Sequence, residues 1–328
     1  MKTRARKTLR GTSLLAVVTI LAVSCSGDAD APAAPTDPRE VLHAEVASYD
    51  LAAGDASRFT VGLFTGDELF VSFGTVKLEF SYLGEKGATR EPDPGPSVDG
   101  SFLLVPGTDP ETIPDHPVAV PASRGRGVYA AGVRFDRSGF WEVEVTADIE
   151  GRGVRSATGA FQVLPEHRVP APGERAIASD NLTAESTDAP ASAIDSRARA
   201  GKKITDPVLH ETTIAQAIRR GRPALVVFST PVYCVSRFCG PITDMVEELA
   251  HDYSGRAEFI HVEIWRNFEK GVINETAAEW LLRDNDLREP WVFLFGSDGR
   301  ILARWDNVAT RGEIEPLLKR LPRTESSS

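Results

Sequence analysis

The stretch Phe228-Ser-Thr-Pro-Val-Tyr-Cys-Val-Ser-Arg-Phe-Cys-Gly-Pro241 decides how this chain is read. It continues the short apolar run 224–229 (Ala-Leu-Val-Val-Phe-Ser). It precedes a segment with apolar residues at 242, 245, 246, 249, 250 and 253, the spacing of one helix face. Cys234 and Cys239 therefore fall on a strand-to-helix turn. A thiolate held there faces the free N–H groups and positive dipole end of a helix, which favour the anion.

Working outward, residues 204–321 alternate helix and strand patterns. Residues 207–220 read as a helix, Glu258-Phe-Ile-His-Val-Glu-Ile264 as a strand and 276–283 as a helix. Residues 291–295 and 301–305 flank the turn Gly296-Ser-Asp-Gly299 as a hairpin. A last helix over 311–321 carries apolar residues at 314, 317, 318 and 321. Trp265, Trp280, Trp291 and Trp305 read as packing residues of this domain.

With this order of elements around a cysteine-bearing turn, the domain over 204–324 resembles the thioredoxin superfamily. The resemblance implies an α/β thioredoxin-like fold and thiol–disulfide exchange. It makes Cys234 the attacking thiol and Cys239 the resolving one. Pro290 sits where the family has its cis-proline, so Glu289 and Pro290 are the expected substrate-binding residues, Glu289 presenting its backbone to an extended chain. The chain departs from the family in three ways. Its pair is spaced C-x4-C, not C-x-x-C. Phe238-Cys-Gly-Pro-Ile242 echoes W-C-G-P-C with its last cysteine lost, which would make Cys239 the attacking thiol, and that alternative stays open. Val227 stands where the family carries a buried acid.

Three other readings use the same residues. The pair can be a structural bridge, but a ring this short adds little loop-closure stabilisation, so chemistry is the preferred role. The stretch Thr230-Pro-Val-Tyr-Cys-Val-Ser-Arg-Phe-Cys239 is similar to thiol peroxidases of the peroxiredoxin Q type, although Thr230 stands four residues before Cys234 where that family has three. Copper-delivery proteins of the same fold add a distant histidine. Neither His251 nor His261 lies where they place it, so no metal and no cofactor are expected. A non-catalytic surface binding protein with a thioredoxin-like scaffold is the competitor from outside enzymology.

The chain has 328 residues, a formal net charge of −10 and three cysteines. The acidity argues against nucleic acid as a partner. The cysteine count excludes a disulfide-dense scaffold, and no four-ligand cluster for a zinc module exists. The third cysteine belongs to the N-terminus. Residues 1–24 read as a signal peptide, with Lys2, Arg4, Arg6, Lys7 and Arg10 ahead of the apolar run 14–23. Leu21-Ala-Val-Ser-Cys25 resembles a bacterial lipobox, with Ala22 in place of the usual leucine. The resemblance implies lipidation at Cys25 and a protein held on the extracytoplasmic face of the cell membrane. After cleavage the chain keeps 32 basic and 47 acidic residues, net −15, so attachment would rest on acyl chains rather than a basic patch. Its partners would be exported proteins with thiols or disulfides.

Residues 25–40 read as a Pro/Ala/Asp tether. Residues 41–165 read as an antiparallel β-sandwich. The runs 58–64, 69–73, 76–82 and 141–146 alternate apolar and polar residues, and Gly66-Asp67, Ser138-Gly139 and Glu150-Gly-Arg-Gly153 punctuate them. The stretch from Gly127 to Val145 is similar to the closing strands of bacterial immunoglobulin-like modules. The proline-rich residues 90–126 are expected as a surface excursion, and 166–203 as a linker.

Overall fold

A computed structural model describes residues 37–54, 56–87, 91–204 and 207–323. The signal peptide, Cys25 and most of the expected tether lie outside the described residues. Pro38–Glu40 forms one 3-10 turn, started by Asp37 accepting from the Arg39 N–H at 3.0 Å.

The N-terminal half is antiparallel throughout its named strands: β1 (Leu42–Val46), β2 (Ala56–Thr65), β3 (Phe70–Ser72), β4 (Thr75–Gly84), β5 (Asp93–Leu104), β6 (Val118–Val120), the single helical turn α1 (Ala122–Gly125), β7 (Gly127–Arg134), β8 (Gly139–Ile149) and β9 (Gly153–Val163). Among the described residues these strands form one sheet in the order β6-β3-β2-β7-β5-β4-β8-β9, with β1 added along β2. The sheet folds over, so that Phe59, Phe80, Phe135, Trp141 and Phe161 meet in one core, Phe59 edge-on to Phe80 at 4.9 Å. The alternation in 141–146 falls in β8, with Trp141, Val143 and Val145 inward.

The expected excursion contains a twelve-residue strand, β5, despite Pro94 and Pro96. Residues 93–99 pair only with β4, while β7 joins at Ser101. The outer edge of that half-strand therefore asks for no N–H donor, which is the sheet position that tolerates proline. Gly95 is required there: a Cβ would stand 2.7 Å from the Trp141 ring.

The C-terminal half holds α2 (Ile214–Arg219), β10 (Ala224–Ser229), α3 (Cys239–Tyr253), β11 (Glu258–Glu263), the small pair β12 (Trp265–Asn267) and β13 (Val272–Ile273), α4 (Glu275–Leu281), β14 (Trp291–Phe295), β15 (Ile301–Asp306) and α5 (Arg311–Arg320). Its four-stranded sheet runs β11-β10-β14-β15, with β10 parallel to β11 and antiparallel to β14. Every residue of β10 and β14 is buried. One face packs Phe228, Phe293 and Trp280, the other Leu225, Val227, Val246 and Leu318. The helix expected over 207–220 is in fact a 3-10 turn, Pro207–Leu209, and then α2, which starts at the Thr213–Gln216 capping box.

Residues 166–203 are packed into this half. Val169 and Ala176 enter its core, and Arg175 forms a bridge with Arg300. The 3-10 turns Ala191–Ala193 and Ser196–Ala198 bury Ala193, Ser196 and Ala198. Sparse apolar residues without a period hid this burial from the sequence. Ion pairs join the two halves: Arg304 to Asp50 at 2.9 Å and Arg58 to Glu313 at 2.7 Å. No helix among the described residues is long and apolar enough to cross a membrane.

Candidate functional site

β10 drives the chain through the core and ends at Ser229, whose hydroxyl meets that of Thr243 at 2.6 Å. Thr243 also donates to the Cys239 carbonyl at 2.8 Å, so the strand end and the first turn of α3 are locked together. Between them residues 230–238 turn back, with the Cys234 N–H donating to the Thr230 carbonyl at 3.1 Å. Phe238, the residue capping α3, makes no side-chain capping bond, so the first N–H groups of the helix remain available.

Cys234 takes them. Its thiol is pulled from the ordinary 9.0 down to about 5, first by the Cys239 thiol donating to it, then by Ser236 and the backbone N–H groups of Cys239 and Phe238, against partial burial. The Ser236 hydroxyl lies 3.1 Å from the Cys234 sulfur. Cys239 is wholly buried, and that burial, with the Cys234 thiolate beside it, pushes its own thiol well up. Both cysteines are free. One thiol is ionised and half-exposed; the other is protonated and covered.

The third member of the group is a side chain. A carboxylate oxygen of Glu289 lies within 4.8 Å of both cysteine sulfurs. Burial and the Cys234 thiolate raise this carboxyl to about 7. The Glu289–Pro290 peptide is cis, and the Glu289 carbonyl accepts from the Tyr49 hydroxyl at 3.2 Å, a contact reaching over from the N-terminal half. The backbone expected to meet a substrate is thus held by Tyr49, while the side chain enters the thiol pair. The sequence carried one signal for this, an acid directly before a proline and an unbroken apolar strand. Its approach to the sulfurs follows from the pairing of β14 with β10, which no local pattern encodes.

Around Cys234 the rim is apolar. Val235 is 94% exposed, and the Tyr233 ring stacks on Phe268 at 4.0 Å. Beneath the loop lies a second acid, Glu263, buried at the end of β11. It accepts from the Ser196 N–H at 2.8 Å and the Trp265 N–H at 3.3 Å, and burial raises it to about 7. His261 is buried on the same strand, and His251 lies exposed on α3. Trp280, Trp291 and Trp305 are buried in the core; Trp265 is half-buried beside Phe268. Cys25 is outside the described residues. Among the described residues, two groups of donors are close enough to hold a metal: Cys234 with Cys239 and Glu289, and Asp195 with His210 and His261.

No family model and no curated protein matches the chain. Among solved structures, a point variant of the superoxide reductase (neelaredoxin) from Ignicoccus hospitalis is similar at 13% identity, with 38% of this chain and 82% of that chain covered and a TM-score of 0.20. A second structure of the superoxide reductase (neelaredoxin) from that organism has 15% identity, 37% and 80% coverage and a TM-score of 0.18. Likeness at this level assigns neither fold nor activity.

Proposed function

We propose that this protein performs thiol–disulfide exchange on exported proteins through Cys234 and Cys239, on a thioredoxin-like domain carried beside an immunoglobulin-like one. The observation that carries this reading is the division within the pair: a partly exposed Cys234 with the Ser236 hydroxyl 3.1 Å from its sulfur, next to a wholly buried Cys239. The Cys234 thiolate attacks a partner's disulfide and forms a mixed disulfide, and the first partner sulfur leaves as a thiolate. Cys239 then gives its proton to the Glu289 carboxylate and attacks the Cys234 sulfur. The mixed disulfide breaks, the second partner sulfur leaves as a thiolate, and Cys234–Cys239 closes. The partner has gained two electrons, and the reverse sequence oxidises a dithiol. The order with Cys239 attacking first is disfavoured by its burial. A peroxidase reading is disfavoured because Thr230, the residue that would hold the peroxide, is wholly buried.

In this reading the chain is exported and held at the membrane's outer face by lipid on Cys25. Exchange is tested by trapping. Cys239→Ser should accumulate mixed disulfides with envelope proteins, and Cys234→Ser should accumulate none. Equal trapping by both variants, or none by either, would remove the proposal. Anchoring is tested separately, since Cys25→Ser should move the protein out of the membrane fraction.

A further inference from the structure

The second donor group shares no residue with the thiol site and needs neither cysteine. Asp195 comes from the turn before Ser196–Ala198, His210 follows the turn Pro207–Leu209, and His261 sits mid-strand in β11. Three separate segments thus bring one donor atom each to within 4.8 Å of the others. The three residues are 2%, 0% and 1% exposed. The imidazole rings lie edge to face at 5.3 Å. His261 Nε2 donates to the Ser229 carbonyl at 3.2 Å and His210 Nε2 faces Asp195 at 3.3 Å. Each ring therefore spends its Nε2 on a neighbour, and Nδ1 of both histidines is buried without a hydrogen-bond partner. Two buried ring nitrogens without a partner beside a carboxylate cost free energy. A cation resolves that cost.

Charge agrees. Asp195 is gripped from outside by Arg197 at 2.7 Å, and the same guanidinium reaches Asp244 at 2.8 Å and Glu247 at 3.0 Å. Three carboxylates against one guanidinium leave an excess of negative charge beside the two rings. Arg197 on the outer edge of the carboxylate is the kind of outer contact that orients a ligand. An acidic cavity adjoins one of the three ligands. A cavity of about 360 Å³ has His261 in its wall, with Asp180, Glu263, Glu275 and Glu279 lining it against the single basic residue Arg266.

We infer that Asp195, His210 and His261 form a buried site for a divalent transition-metal ion, with the acidic cavity as its entrance. Two imidazoles and one carboxylate suit ions of intermediate softness such as zinc, iron(II) or cobalt(II) and leave a coordination position open. The ion ties Asp195 and His210 to β11, next to Ser229 at the strand end that leads into the thiol loop.

The test uses the full chain, chelator-treated and with Cys234 and Cys239 oxidised so that no thiolate competes. Cobalt(II) should bind one equivalent and show d–d bands without a thiolate-to-cobalt charge-transfer band. Zinc should compete for that equivalent and raise the thermal midpoint of the wild-type chain. His210→Gln and His261→Gln should each weaken binding by more than about tenfold, the loss that removing even an outer contact of a metal site causes. The wild-type titration stands by itself should either variant fail to fold. Failure of cobalt to bind the wild-type chain overturns the inference. So does a thiolate charge-transfer band, or undiminished binding by folded histidine variants.

Discussion

Cys234 and Glu289 make opposite demands on pH. As pH rises through about 5 the Cys234 thiolate fills in, so its alkylation should climb there and be nearly level by pH 7. Ionisation of Glu289 near 7 then places a second anion beside the sulfur and adds a smaller inflection. Iodoacetamide rates across this range check both. Cys239→Ala removes the largest contribution to the low Cys234 value and should shift the first midpoint upward; an unmoved midpoint would assign the shift to Ser236 and the helix N–H groups. Glu289→Gln removes both the anion and the proton acceptor. The second inflection near 7 should disappear while the first midpoint, reached where Glu289 is already protonated, stays in place; closure of the disulfide should slow roughly 10²-fold or more, the usual contribution of a positioned base. Stopped-flow resolution of the mixed disulfide separates the two effects. The cysteines were legible in the sequence because the strand and helix around them have local periods. The Glu289 carboxylate was not, because its reach to the sulfurs depends on strands distant in the chain.

α3 and β10 hold the thiols in place by packing rather than by capping, since Phe238, which precedes α3, makes no side-chain capping bond. On the opposite face of the sheet α4 supplies Trp280, wholly buried, 5.1 Å from Phe228 and 5.0 Å from Phe293, with its N–H donating to Ser179 at 3.0 Å. Trp280→Ala should cost about 3–5 kcal/mol. A denaturant titration should show this as a lower midpoint, and the cost should extend to residues 176–182, which pack under the ring. Such burial makes 207–219 and 275–281 dependent on neighbours rather than on their own propensity. The helix read over 207–220 breaks at Thr213 for that reason: its side chain caps α2 and also meets Asp180 at 3.2 Å, a partner 33 positions earlier. Likewise β5 exists because β4 offers it an edge, whatever its prolines prefer alone.

The two halves of the described chain are coupled through charge as well as apolar contact. Arg58 of β2 reaches Glu313, the Val308 carbonyl at 2.8 Å and the buried Asp306 at 3.5 Å. Val105 and Val128 meet Val308 and Phe238, the residue just before Cys239. Arg58→Ala strands Asp306 with too little compensation and should cost about 3–5 kcal/mol, the loss seen when one partner of a buried pair is removed. Calorimetry should show one unfolding transition for wild type and two separated transitions for Arg58→Ala. A single transition in both would mean that apolar contact alone carries the coupling. The same contacts place the β-rich half against the thiol loop, where Tyr49 already holds the Glu289 carbonyl.

From the chain alone one can read the alternation that makes β8 and β10, the amphipathic face of α3 and the position of two cysteines at a strand-to-helix turn. These depend on periods of two and 3.6 residues, which act over neighbours. Packing alone chose the rest: the burial within 166–203, the approach of Glu289 to both sulfurs, and the meeting of Asp195, His210 and His261. Those are contacts between segments far apart in sequence, settled by which surfaces shed water together, and no local pattern records them.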